Sequence, residues 1–144
     1  MSFTCAARTN VGLVRTNNED SYLVDEELGL YIVCDGMGGH KAGEVASQTA
    51  CETLKREVHE LAPLIERFQR TGLNSDAKEI KKAVETAVQN ACREIYSKAS
   101  KDSECTGMGT TCSMVLMIGH NKGVLGHVGD SRLYMVRQEK LYQL

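Results

Sequence analysis

Hydrophobic positions along this chain alternate at first, then recur every three or four residues, then alternate again. Phe3 to Thr9 is short and mixed, which predicts an edge strand. Ser21 to Asp25 and Leu28 to Cys34 flank Glu26-Glu27, with Gly29 close behind, and this predicts a hairpin. From Ala42 the period changes. Ala42, Val45, Ala46, Ala50, Leu54, Val58 and Leu61 mark one face of a helix, which Pro63 should end or kink. The stripe Ile80, Ala83, Val84, Ala87, Val88, Ala91, Cys92, Ile95 and Ala99 predicts a second, longer helix. Asp76 with Glu79 offers that helix a capping box, and Lys98 and Lys101 suit its negative C-terminal end.

Beyond Gly109 the pattern predicts strands at Thr111 to Ile118, Gly123 to Val128, Arg132 to Arg137 and Lys140 to Leu144. Met114, Leu116 and Ile118 alternate with apolar Val115 and Met117, so the first of these strands is expected to be buried on both faces. Strands and helices are segregated along the chain. That argues for an α+β domain with helices packed on antiparallel sheet.

Composition narrows the function classes. A length of 144 residues suits one domain, and a net charge of -2 gives no electrostatic case for nucleic acid or an anionic membrane. No apolar run approaches a membrane span, and no signal peptide is visible at the start, so a cytoplasmic protein is expected. Six cysteines at positions 5, 34, 51, 92, 105 and 112 lack C-x-x-C and zinc-type spacing. Cys34, Cys92 and Cys112 lie in apolar runs and read as small buried hydrophobes, reduced and structural.

Acids gather at predicted strand ends: Glu19 and Asp20 before the second strand, Asp35 after the third, and Asp130 in a tight turn. Carboxylates crowded at one edge of a sheet repel unless a cation lies among them. Hard divalent ions favour such oxygen donors, and Asp35-Gly36 offers a carboxylate beside a backbone carbonyl. Arg15 could present a fork to an anionic oxygen group. Each piece also has a plainer reading, with Asn18-Glu19-Asp20 a solvated loop, Asp130 a turn residue and His40 a helix-start histidine. The Gly-x-Gly-Gly string lacks the Lys-Ser/Thr ending of a P-loop. Spacing alone gives a candidate divalent-metal site and no reaction.

Taken together, the motifs resemble a known family. Gly12-x-x-Arg15-x-x-Asn18-Glu19-Asp20, Asp35-Gly36-Met37-Gly38-Gly39-His40, Gly109-Thr110-Thr111 and Gly129-Asp130-Ser131-Arg132 stand in the order seen in metal-dependent Ser/Thr protein phosphatases of type 2C, especially compact bacterial members. The resemblance implies part of an α-β-β-α four-layer sandwich and Mn²⁺ or Mg²⁺ as cofactor. It implies that Asp35 bridges two ions and that Gly36 lends a carbonyl to one. Glu19 and Asp20 would hold metal-bound waters, Asp130 would serve a third ion, Arg15 would bind the substrate phosphate, and His40 would protonate the leaving alkoxide. The implied reaction is attack on phosphoserine or phosphothreonine by a metal-activated water.

The sequence stops before two further metal-binding aspartates of the family pattern. The resemblance therefore implies that residues 1–144 are the N-terminal portion of a catalytic domain, somewhat more than half of it, inactive or weak alone. The alternative is a short relative acting as an interaction or regulatory module without catalysis. Expected partners are phosphoprotein substrates and a Ser/Thr kinase sharing their targets, with self-association through an open sheet edge at Lys140 to Leu144. Less cover is expected on the face of Met114, Leu116 and Ile118.

Overall fold

The computed structural model describes residues 4–38 and 42–144. Strands β1 (Asp20–Asp25) and β2 (Leu30–Met37) form the expected hairpin. Its turn is held by the Leu28 N–H, which donates to Asp25 Oδ1 at 3.0 Å, and by Gly29 at φ 65°. Helices α1 (Ala42–His59), α2 (Ala62–Thr71) and α3 (Asn74–Lys101) follow, then a single 3-10 turn at Ser103–Cys105. Strands β3 (Gly109–Thr110), β4 (Cys112–Met117), β5 (Gly123–Val128), β6 (Tyr134–Arg137) and β7 (Lys140–Gln143) complete the described chain.

One antiparallel sheet runs β1-β2-β4-β5, with β3 joined to the far end of β2, and β6 and β7 pair separately. Alternation gives the sheet two different faces. Leu30, Ile32, Cys34, Cys112, Met114 and Leu116 point inward and are buried under the helices. Ala46, Ala50 and Leu54 of α1, with Ile80, Val84 and Ala87 of α3, complete this core. The opposite face carries Tyr22, Val24, Val33 and Leu125, all exposed, and it also carries the acidic residues.

Several expectations need correcting. Residues 4–10 form no strand, because they join no ladder; Phe3 lies outside the described residues. Helix α2 was not foreseen: Pro63 ends α1 but also sits in the first turn of α2, and Gly72 at φ 64° closes it. The Asp76–Glu79 capping box does not form. Helix α3 starts two residues earlier, and Asp76 inside it pairs with Arg67 Nη2 at 3.1 Å and accepts from Thr71 Oγ1 at 3.0 Å. Met114, Leu116 and Ile118 are fully covered by helices, whereas Val115 and Met117 are only half-buried, so β4 is buried on one face. Cys92 is exposed at the margin of the α3 stripe. The remaining helix and strand expectations match within a few residues.

Candidate metal centre

Strand β2 does not stop at Asp35. It continues through Gly36 to Met37, leaving β4 and pairing with β3 at Gly36↔Thr110 and Met37↔Gly109. Asp35 therefore lies within a strand and is held from both sides. Its N–H donates to Thr111 Oγ1 at 3.0 Å, while its C=O accepts from the Thr111 N–H at 2.9 Å and from Thr110 Oγ1 at 3.0 Å. Across the other ladder it stands opposite Asp20.

Asp20, the first residue of β1, is fixed by the residues before it. The Asn18 side chain accepts from the Asp20 N–H at 3.1 Å and donates to Thr9 Oγ1 at 2.8 Å, and Thr9 donates to Asp20 Oδ2 at 3.3 Å. Asp130 occupies the turn after β5, close enough for its charge to act on Asp35. Gly129 at φ 106° tucks this turn against Thr111, where an added Cβ would lie 2.7 Å from Thr111 Cγ2. Ser131 Oγ lies 2.8 Å from Thr111 Oγ1. Thr111 thus joins Asp35 to the Asp130 turn, a role that motif spacing did not reveal.

Electrostatics fits this crowding. The Asp35 carboxyl is raised above the ordinary aspartate value, first by partial loss of hydration, then by the charge of Asp20 and a hydrogen bond with it. Asp130 adds to the rise and Arg15 opposes it.

Glu19 is placed differently. Its carbonyl accepts from the Gly36 N–H at 3.2 Å and from the buried Ser47 hydroxyl at 2.7 Å, which ties strand, loop and α1 together. Its Oε2 meets Arg15 Nη1 at 3.4 Å, while Oε1 is buried with no hydrogen-bond partner among the described residues. Gly36 and Gly43 make this packing possible: a Cβ on Gly36 would fall 2.1 Å from the Gly43 carbonyl oxygen, and one on Gly43 would fall 2.5 Å from Glu19 Oε1. Glycine at 36 is thus required by the close approach of α1. Arg15 is largely exposed, in the loop before Glu19. His40, expected to serve as proton donor, lies outside the described residues.

The donor chemistry fits a hard cation: opposed carboxylates, a third acid nearby, and an orphaned buried carboxylate oxygen on Glu19. The set is partial. Among the described residues no three His, Cys, Asp or Glu side chains converge as a complete metal-binding group.

The fold is that of a known phosphatase architecture, as comparison with known proteins shows. A family model described as protein phosphatase 2C matches residues 14–144, and the chain belongs to that family. It is 35% identical over 141 residues to the serine/threonine protein phosphatase PstP of Mycobacterium tuberculosis, covering 96% of this chain and 24% of the relative. It is 35% identical over 140 residues to the serine/threonine phosphatase stp of Listeria monocytogenes, covering 95% of this chain and 51% of the relative. Among solved structures, the M. tuberculosis PstP crystal structure superposes with a TM-score of 0.77 at 34% identity, over 96% of this chain and 52% of that one. The PstP catalytic domain in complex with two manganese ions gives a TM-score of 0.76 at 34% identity, over 96% and 53% of the two chains. The chain thus spans between about a quarter and about half of these relatives' length, and the α+β architecture is that of the phosphatase fold. No helix among the described residues is long and apolar enough to cross a membrane.

Proposed function

We propose that these residues are the N-terminal portion of a metal-dependent protein phosphatase catalytic domain, acting on phosphoserine and phosphothreonine in proteins. The observation that carries this reading is the opposition of Asp20 and Asp35 across the β1–β2 ladder, with Asp130 and Arg15 beside them. Like charges directly opposite on a sheet destabilise it, so their retention points to a cation between or beside them.

Asp35 and the Gly36 carbonyl would hold Mn²⁺ or Mg²⁺, with Asp130 serving a further ion. When bound, such ions lower the pKa of water and neutralise charge that grows on phosphoryl oxygens. The chain's own residues supply the rest. Glu19 and Asp20 would hold and orient water. Arg15 is largely exposed and held among the described residues by a long ion pair to Glu19, so its guanidinium can turn to grip the phosphate with two N–H groups. His40 is assigned the proton delivered to the departing serine or threonine oxygen. A Ser/Thr kinase sharing the same targets is the partner this reading implies.

The incomplete ligand group favours little or no turnover by these residues alone, which leaves a non-catalytic regulatory module as the second reading. A full-length protein carrying this segment should release phosphate from a phosphothreonine peptide in Mn²⁺, and Asp35→Asn should reduce the rate at least about a hundredfold. A full-length protein equally inactive with and without Mn²⁺ would support the second reading and sink the first.

A further inference from the structure

Cys34 and Cys112 lie on the buried face of the sheet, and the phosphatase reading gives neither a role. The β2–β4 ladder pairs Ile32 with Met114 and Val33 with Ser113, and the next step sets Cys34 opposite Cys112. Backbone bonds fix which kind of pair this is. The Thr111 N–H donates to the Asp35 carbonyl and the Met117 N–H to the Gly29 carbonyl, so the odd-numbered positions of β2 are the hydrogen-bonded ones. Cys34 and Cys112 therefore form a non-hydrogen-bonded pair, where Cα atoms lie about 4.5 Å apart and side chains approach most closely. A disulfide needs Cα atoms about 4.4–6.8 Å apart. Cys112, together with Cys51 of α1, lies close enough to Cys34 to act on its ionisation.

We propose that Cys34 and Cys112 form a reversible cross-strand disulfide site, oxidised by hydrogen peroxide and reduced by a small thiol. Entry is through Cys112. Cys34 is fully buried, but Cys112 is 6% exposed and lines an open apolar cavity of about 590 Å³ with Met37, Leu54, Cys92 and Val128. The Cys112 sulfur attacks peroxide, an S–O bond forms as the O–O bond breaks, and the thiol proton leaves in a first water. The Cys34 sulfur then attacks the Cys112 sulfur. The S–S bond forms as the S–O bond breaks, and the Cys34 proton leaves with the hydroxyl as a second water. Two thiols are oxidised by two electrons and one peroxide is reduced. The link would sit one residue before Asp35 and one after Thr111, directly beneath the backbone bonds that fix the acidic site.

The test is peroxide treatment of the folded chain, followed by thiol titration after unfolding and non-reducing peptide mass analysis. Free thiols should fall from six per chain by two, a peptide bearing Cys34 should be joined to one bearing Cys112, and dithiothreitol should restore both. Cys92→Ser removes the exposed competing thiol and should leave the link intact, as should Cys51→Ala if the protein remains folded by circular dichroism. A link between Cys34 and Cys51 instead would overturn the proposal. So would oxidation that ends as sulfinic acid at Cys112 or as chain-to-chain links through Cys92. These readouts are masses, so they stand or fall independently of any phosphatase activity.

Discussion

Asp20 and Asp35 face each other directly across the β1–β2 ladder, and the Asp35 carboxyl, raised first by partial loss of hydration, is raised further by the Asp20 charge. In metal-free protein this pair is unfavourable. Asp20→Asn should raise stability by about 0.2–1 kcal/mol, the range for a cross-strand pair, and bring the Asp35 pKa back toward 3.8. In Mn²⁺ the sign should reverse, because the variant loses an oxygen donor. Thermal melts with and without Mn²⁺ read both. A variant less stable in the absence of metal would show that the carboxylates attract through a shared proton rather than repel.

The same pair sets a pH dependence. A carboxyl whose folded pKa lies above its unfolded value binds more protons in the folded state between the two values. Its contribution is therefore fully present below 3.8 and is lost as pH rises through the raised folded value. Protons and Mn²⁺ compete for this group, so Mn²⁺ affinity should weaken as pH falls through the same window. Calorimetric titration across acid pH would register it, and Asp20→Asn should move the midpoint lower.

Thr111 supports the site through hydrogen bonding rather than charge. Its hydroxyl accepts from the Asp35 N–H and contacts Ser131 next to Asp130. Thr111→Val keeps the shape and removes the acceptor, which should cost about 1–3 kcal/mol. Thr111→Ser should recover most of that. Urea denaturation measures the cost, and Mn²⁺ affinity should follow the same order. Equal losses for Val and Ser would assign the effect to the methyl group packed against Gly129 instead.

Local periodicity carried most of the fold. The α3 stripe and the β1–β2 hairpin are legible because their buried residues follow one period without a break. Helix α2 escaped because only Ile65 and Phe68 of its ten residues are buried, too few to mark a face. The acids were legible as residue types in motifs, but not their arrangement. That Asp20 opposes Asp35 depends on register, and that Thr111 bridges to Ser131 depends on β4 lying beside β2, which are tertiary facts. The requirement for glycine at 36 comes from an approaching helix rather than from the strand's own chemistry.

That requirement is testable. A Cβ at position 36 would meet backbone on two sides, 2.1 Å from the Gly43 oxygen and 2.5 Å from the Glu19 oxygen. Neither can rotate away, so Gly36→Ala should destabilise by at least about 1–3 kcal/mol and loosen α1 from β2. Gly119 is the control, since its added Cβ would meet only Phe68 at 3.8 Å, an ordinary contact. Gly119→Ala should stay within about 0.5 kcal/mol of the parent. Similar denaturation midpoints for the two variants would mean that α1 is not packed against Gly36 as described.

The last prediction concerns the helical layer. Asp76 is depressed below the ordinary aspartate value, mainly by its hydrogen bond to Arg67 and also by that to Thr71. Arg67 in turn reaches Glu79 at 2.8 Å, so one guanidinium from α2 fastens two acids on α3. A carboxylate with a depressed folded pKa contributes stability above its unfolded value and loses it as pH falls through the folded value. Asp76→Asn should therefore be less stable than the parent at neutral pH, and the gap should narrow below about pH 4, where the parent's own carboxylate takes up a proton. Urea midpoints for the two proteins across that range give the comparison. No gap at neutral pH would place the contribution of Asp76 in the Thr71 hydrogen bond, which an asparagine can keep, rather than in its charge against Arg67.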